Sequence, residues 1–543
     1  MNLNFDKQPI DILQALANWG LIFGVLLCIG LAIALIVSVA NNKKRGVSRF
    51  FENLGEGLRD LFGMSPKRLG AIATLTLKEA VRRKALLVFV VFAVLFMFGG
   101  WFLADSNSRA ELQLSVYVSF VLTAIGWLIF PVALILACWG LPEDIRLRSL
   151  HTVVTKPVKR SEIVLGRILG FAGVGTLVVG IMSVLGYVWI LRQIPEKVQS
   201  RLVARVPVYG SLDFRDREGE DSDSGVNTGD INPYRSYIEG ASKARAKWTF
   251  EGVSPSVLQT DPDTEEPALL LENSFQAFRT HKGVIDEVLH GQYTLVNPET
   301  NLRVQLPQFP IYEFRQNISW IPQKLNYYNE ETKKTETKDL FEDVVSDGKL
   351  IVETRCTDPG QFLGMARPDL FLRLPDRPFA SSFFKSVFGI WLMMVLIVVL
   401  GVTASTFVKG PVATILLLSL ILMGTGFQPF MEKILSGEVR GAGLVESGIR
   451  ILNHGNPIVE KPESLEESAA VQGVDQVFTG MLWGFSHVIP NFNMFSFKAY
   501  TASGFDVPMK VAVLPALLMV IGFFIPCLML GYFSLKLREL EAK

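Results

Sequence analysis

Seven stretches of the chain are apolar almost without a break: residues 19–40, 85–104, 114–139, 163–191, 388–408, 411–427 and 511–535. A helix rises about 1.5 Å per residue, so roughly 20 such residues cross a hydrocarbon core about 30 Å thick. The pattern predicts an α-helical polytopic membrane protein with seven transmembrane helices. The sixth run is the shortest. The first has Asp6 and Asp11 before it and Lys43, Lys44 and Arg45 after it, and it is too long for the apolar region of a cleaved leader; it reads as an anchor that stays.

Between the spans the periodicity changes. Residues 47–64, VSRFFENLGEGLRDLFGM, put Val47, Phe50, Phe51, Leu54, Leu58, Leu61 and Phe62 on one helical face, which predicts an amphipathic helix lying in the membrane interface. A basic helix follows Pro66. From 192 to 382 short runs such as KWTFEGV, QYTLVN, LRVQLPQF and LIVETR mix β-branched and aromatic residues with polar ones, punctuated by Gly, Pro and Asn. That stretch predicts a β-rich domain of the sandwich kind. Within it, the acidic, Gly- and Ser-rich residues 213–230 read as a mobile loop, and 326–343 as a long polar hairpin tip. Residues 472–497 are apolar but interrupted by Gly480, Gly484 and Pro490, and read as a broken re-entrant or interfacial hairpin.

Net charge is only +1, which gives no reason to expect a nucleic-acid partner. Its distribution says more. Residues 41–84 carry 11 Lys/Arg against 4 Asp/Glu and residues 141–167 carry 6 against 3, whereas 192–382 carry 23 against 30 and 431–510 carry 6 against 9. Lys and Arg favour the cytoplasmic flanks of spans, so the alternation predicts a multi-pass protein of the cytoplasmic (inner) membrane, N-terminus outside and C-terminus inside. The expected order is an anchor (1–45), cytoplasmic amphipathic interface helices (46–84), core spans (85–191), an extracytoplasmic β-rich domain (192–382), core spans (383–430), an outer loop (431–510) and a last span with its tail (511–543).

Candidate chemistry is sparse. The four cysteines are scattered and the five histidines lack ligand-like spacing, so no disulfide framework or metal site is expected. There is no GxxxxGK[ST] loop, GxSxG elbow or HExxH pair, so no catalytic residue is assigned. Span interiors hold essentially no ionisable residue, which disfavours an ion-coupled carrier. Thr403, Ser405 and Thr406 within GVTASTF are expected to pack between helices.

One charged segment remains, LPEDIRLRSLHTVVTKPVKRSEIVLGR at 141–167. Pro142 is expected to end the third span and open a short helix with Glu143 and Asp144 in its first turn; Lys156 and Pro157 should break it, and Ser161 followed by Glu162 should cap the fourth span. The segment resembles that of the membrane permease subunits of type-2 ABC exporters. The matching residues are Glu143 or Asp144, Ser149 with Leu150, Lys156 with Pro157, Arg160, Glu162, and Gly166 with Arg167. The basic interfacial helix, STFVKGPVATI at 405–415 as a tight cytoplasmic turn, and the IPNFNMF stretch before the last span resemble the family too.

The resemblance implies a six-helix permease core plus the extra N-terminal span. It also implies that 141–162 is a coupling segment docking on separate cytoplasmic ABC-type ATPase subunits that bind ATP and Mg, with no cofactor in this chain. Glu143, Asp144, Arg146 and Arg148 would face the ATPase, with His151 next to them. A second permease copy or a related permease, and membrane lipid, are the other partners implied. The extra span and the large outer domain depart from the simplest members and leave the substrate open. A membrane-anchored extracytoplasmic binding or sensor protein is the alternative reading.

Overall fold

The computed structural model describes residues 11–42, 46–82, 91–92, 94–96, 99, 110–146, 158–194, 202–222, 224–226, 235–278, 288–311, 316–329, 333–436 and 469–541. The chain divides into two compact units, Arg201–Ser381 with Gly504–Asp506, and Gln8–Ser200 with Ser382–Ser503 and Val507–Lys543.

The second unit is helical. Its elements are α1 (Ile12–Asn42), α2 (Gly46–Phe62), α3 (Pro66–Arg82), α4 (Ala110–Arg146), α5 (Arg160–Gln193), α6 (Phe379–Phe407), α7 (Gly410–Leu422), α8 (Gln428–Leu435), α9 (Ala469–Val488), α10 (Lys498–Ala502) and α11 (Leu514–Glu541). Six helical stretches among the described residues are long and apolar enough to cross a membrane: Ile12–Ala40, Gln113–Glu143, Arg160–Gln193, Phe379–Phe407, Gly410–Leu435 and Met509–Lys536. The expected second span, 85–104, lies largely outside the described residues.

Several boundaries differ from expectation. Helix α4 does not stop at Pro142 but runs through it to Arg146, with a second proline, Pro131, inside. The carbonyl that Pro142 deprives of a donor is that of Cys138, four residues back; it faces the start of α7, where a Cβ on Gly410 would lie 3.5 Å away. Helix α9 likewise runs unbroken through Gly480 and Gly484 and stops at Val488, short of Pro490. It pairs with α8 through polar anchors: Gln428 Nε2 donates to the carbonyls of Ser486 and Ile489, and Asn491 Nδ2 to Glu432. The turn between α6 and α7 is tight, only Val408 and Lys409 separating the helices.

Helix α5 is the hub, and glycine makes it one. Built Cβ atoms would meet Ile72 Cγ2 of α3 at 2.6 Å (Gly166), Thr76 Cγ2 and the Ala73 carbonyl of α3 at 2.7 and 2.9 Å (Gly170), Met394 of α6 at 2.5 Å (Gly175) and Val121 of α4 at 2.5 Å (Gly186). Small residues allow helix backbones to approach closely where apolar lipid supplies no hydrophobic drive. The hydroxyls of α6 behave as expected: Thr403 donates to the Val399 carbonyl of its own helix and lies 3.2 Å from that of Cys527 on α11, while Ser405 and Thr406 bond back within α6. Helix α1 is anchored where Trp19 Nε1 donates to the Gly522 carbonyl of α11 at 3.1 Å.

The first unit is β-rich and antiparallel. One sheet orders strands Val203–Tyr209, Leu370–Pro378, Pro267–Asn273 and Asn317–Pro322. A larger one orders Arg303–Ile311, Leu289–Val296, Leu350–Cys356, Arg245–Phe250, Ser211–Arg215 and Asp221–Ser222. A single apolar cluster draws Trp248, Leu295 and Val352 from the larger sheet and Leu271, Ile321 and Leu372 from the smaller, as sheet-on-sheet packing requires. The expected polar hairpin is Lys324–Asn329 paired with Lys334–Asp339.

The acidic stretch from 213 is not simply a loop. Its first ten residues make a hairpin, because Asp216 Oδ1 accepts from the N–H groups of Glu218, Gly219 and Glu220 and Gly219 supplies the positive φ of 94°; residues 223 and 227–230 lie outside the described residues. A segment of the second long loop joins this unit as well. Arg205 exchanges backbone hydrogen bonds with Gly504 and Asp506, its guanidinium lies 4.2 Å from the centre of the Phe505 ring, and Arg377 pairs with Asp506 at 2.8 Å.

The glycine contacts make a direct prediction. Replacing Gly170 by Ala overpacks the α3–α5 seam and should destabilise the purified protein by about 1–3 kcal/mol. Gly180→Ala, whose Cβ would meet nothing within 4 Å, should leave the midpoint of thermal unfolding in detergent unchanged. Equal effects of the two would contradict this account of the seam.

Candidate functional site

The site begins with four residues at the start of α5. Lys159 is the N-cap, in extended conformation (φ −79°, ψ 149°), so Arg160, Ser161 and Glu162 occupy the first three helical positions. Ser161 is therefore not the cap. Helix caps leave N–H groups without partners inside the helix, and here the Glu162 carboxylate turns back to accept from the Lys159 N–H at 3.1 Å, the carboxylate half of a capping box. That frees the Ser161 hydroxyl, which donates to the Asp60 carbonyl of α2 at 2.8 Å.

Glu162 does much more than cap. Its Oε1 accepts from the Ser65 N–H, in the turn between α2 and α3, at 2.8 Å. Arg68, in the first turn of α3, grips both oxygens, Nη2 to Oε1 at 2.8 Å and Nε to Oε2 at 2.9 Å. The Glu162 side chain is wholly buried while that of Arg68 keeps 38% of its surface. A buried carboxylate is tolerated when paired and hydrogen-bonded on both oxygens, and this one is. The hydrogen bond and charge of Glu162 hold the Arg68 guanidinium above its ordinary pKa.

Around this pair the neighbouring helices are tied in turn. Lys159 Nζ donates to the Arg59 carbonyl at 3.0 Å and lies 3.6 Å from Asp60 Oδ1. The other Asp60 oxygen accepts from the Tyr532 hydroxyl of α11 at 3.0 Å, and Lys536 of α11 pairs with Glu56 of α2 at 3.0 Å. One helical turn along α5, Arg167 pairs with Glu79 of α3 at 2.9 Å. Two ion pairs thus tie α3 to α5 along the glycine-lined seam, and α2 and α11 close over its end.

Of the sequence-derived set, Arg160 and Glu162 stand in the first turn of α5, and Glu162 is the centre of the site. Glu143 is half-buried near the end of α4; Asp144 and Arg146 lie on the helical backbone of α4, their side chains outside the described residues. Arg148, Ser149, Leu150, His151, Lys156 and Pro157 fall at 147–157, also outside the described residues. Sequence reading missed Asp60, Ser65, Arg68, Glu79, Lys159 and Tyr532 as members of the site. Their partners are 88 to 472 positions away, and no local pattern encodes such pairings. The one local signal was the spacing of Glu162 from its cap.

Among the described residues no group of three His, Cys, Asp or Glu side chains is placed to hold a metal ion. What the arrangement does is mechanical: it ties the start of α5 to α2, α3 and α11.

Truncating Glu162 to Ala strands the Ser65 and Lys159 N–H groups and should cost about 2–4 kcal/mol. Glu162→Gln, which retains one acceptor, should cost less. Urea unfolding in micelles measures both, and equal stability of E162A and the parent would refute the clamp. No family model matches the chain, and no curated protein matches it either, so the functional reading rests on the sequence and on this geometry.

Proposed function

We propose that the chain is the permease subunit of an ATP-driven, ABC-type exporter of the cytoplasmic membrane. In this reading it moves its cargo by coupling to separate ATPase subunits and acts with a second permease copy or a related permease. The observation that carries the reading is the Glu162 clamp. It stands at the end of the charged 141–162 segment that resembles a coupling segment, and it joins that segment to the amphipathic α2, to α3 and to α11.

The mechanism follows from what such a joint transmits. ATP and Mg would be bound and turned over in the partner. Closure of the ATPases on 141–162 would be passed through Lys159 and Glu162 to the helices keyed there, a rigid-body movement of packed elements rather than covalent chemistry. The glycine seam favours this, since close-packed helices move together rather than deform. With N-terminus outside and C-terminus inside, the β-rich unit would lie on the extracytoplasmic side, where exported cargo emerges.

The test is reconstitution of the full chain in nanodiscs with candidate ABC-type ATPase subunits from the same cell. Reversing Arg146 and Arg148 to Glu should weaken ATPase capture by about tenfold or more, as loss of charge complementarity does at interfaces, while leaving the thermal midpoint in place. Capture and ATPase stimulation unaffected by the reversal would remove the coupling assignment. Full activity of the β-rich unit without any ATPase would favour the membrane-anchored binding or sensor protein.

A further inference from the structure

The larger sheet of the β-rich unit has one face in the core and one face polar. The polar face is ordered in rows that run across the strands. In one row Glu353 stands opposite Lys247 and Lys247 opposite Asp213, so the signs alternate, as cross-strand pairing favours. The next row breaks the rule. Arg245 is directly opposite Arg215, and Arg355, one position beyond the Thr354–Ala246 pair, continues the row on the neighbouring strand. Three arginines thus stand side by side on adjacent strands about 4.8 Å apart, a juxtaposition of like charge that destabilises a sheet.

Among the described residues carboxylates reach only one end of the row, at Arg215, and leave Arg245 and Arg355 without a counter-charge. Arg215 binds Asp221 at 3.0 Å and reaches Glu353 at 3.3 Å. Glu353 is itself buried and also receives Arg303 from the far side. Arg355 donates to the neutral amide oxygen of Gln292, whose Nε2 donates in turn to the Leu306 carbonyl. Arg245 donates to two carbonyls, those of Ser242 and Ala244, at 2.8 and 2.7 Å. Among the described residues neither Arg245 nor Arg355 has a carboxylate within ion-pairing distance. Burial, and then the charge of Arg355, push the Arg245 guanidinium below its ordinary pKa. All three arginines remain partly open to solvent. A local conflict of this kind, pre-organised and uncorrected, is where natural sequences place a site.

We propose that the row Arg355–Arg245–Arg215 is an anion-binding strip, built for a ligand carrying phosphate or carboxylate groups repeated at the spacing of neighbouring strands. Guanidinium forks match such oxyanions two bonds at a time. Binding supplies the negative charge that Arg245 and Arg355 lack, since the row's one carboxylate, Asp221, is taken by Arg215. The strip stands independently of the permease reading; within that reading it gives the β-rich unit acidic cargo or anionic lipid to recognise.

The experiment uses the full chain in zwitterionic nanodiscs, with two probes: inorganic tripolyphosphate for a free oxyanion, and phosphatidylglycerol in phosphatidylcholine vesicles for a headgroup. Calorimetry should detect salt-sensitive binding of one probe, and the probe that binds names the source. Arg245→Gln and Arg355→Gln should each weaken it by about tenfold, with Arg→Lys intermediate. In the absence of probe the same variants should keep or raise the thermal midpoint, because they relieve like-charge repulsion. If neither probe binds, or binding survives both substitutions, the strip is not an anion site. A lowered probe-free midpoint in the Gln variants would make the arginines structural struts and overturn the proposal too.

Discussion

The helical unit depends on one carboxylate. Glu162 is the point at which α5, the turn from α2 to α3, and α3 itself are hydrogen-bonded to the same two oxygen atoms. Burying it carries a desolvation penalty that only complete hydrogen bonding offsets, so its environment is constrained: Ser65 must present its N–H, Arg68 its fork, and Lys159 its cap geometry. That demand fixes where α3 lies against α5, and the glycines at 166 and 170 then let the two helices close along their length. The Asp60 contacts to Ser161, Lys159 and Tyr532 extend the same constraint to α2 and α11.

This division of labour suits a unit whose apolar surfaces face lipid. Between helices in a bilayer, apolar burial contributes little because lipid is as apolar as leucine. Specific position therefore comes from close backbone approach and from a few buried polar contacts. Glycine provides the first along α5; Glu162, Arg167 with Glu79, and Thr403 at the Cys527 carbonyl provide the second. The β-rich unit works by the opposite rule. There a single apolar cluster shared by both sheets supplies the drive, and polar residues are left to decorate its outer face, which is why an unbalanced row of arginines on that face stands out.

Much of this organisation was legible in the chain. Length and continuity of apolar runs located six candidate spans among the described residues, since crossing a hydrocarbon core is a local requirement on composition. Short runs of β-branched and aromatic residues between Gly, Pro and Asn marked the strands, and the switch in residue type near 192 marked the second unit. Where local reading failed, tertiary contacts had overruled a local signal. Pro142 reads as a helix end but lies inside α4, where the carbonyl it frees packs against the start of α7. Gly480 and Gly484 read as breaks but continue a helix braced by α8. The acidic run from 213 reads as solvated chain, yet Asp216 uses its carboxylate to build a turn.

The sequence by itself determined the number and place of most elements and the charged character of the 141–167 segment, because both depend on residues close together in the chain. Only the tertiary structure decided that Glu162 would meet Arg68, that Asp60 would meet Tyr532, that Gly504–Asp506 would join the β-rich unit, and that Arg355, Arg245 and Arg215 would fall in one row. Each of those depends on strand register or helix docking between segments far apart in the chain, and no local pattern of residues specifies which distant partner a charge will meet.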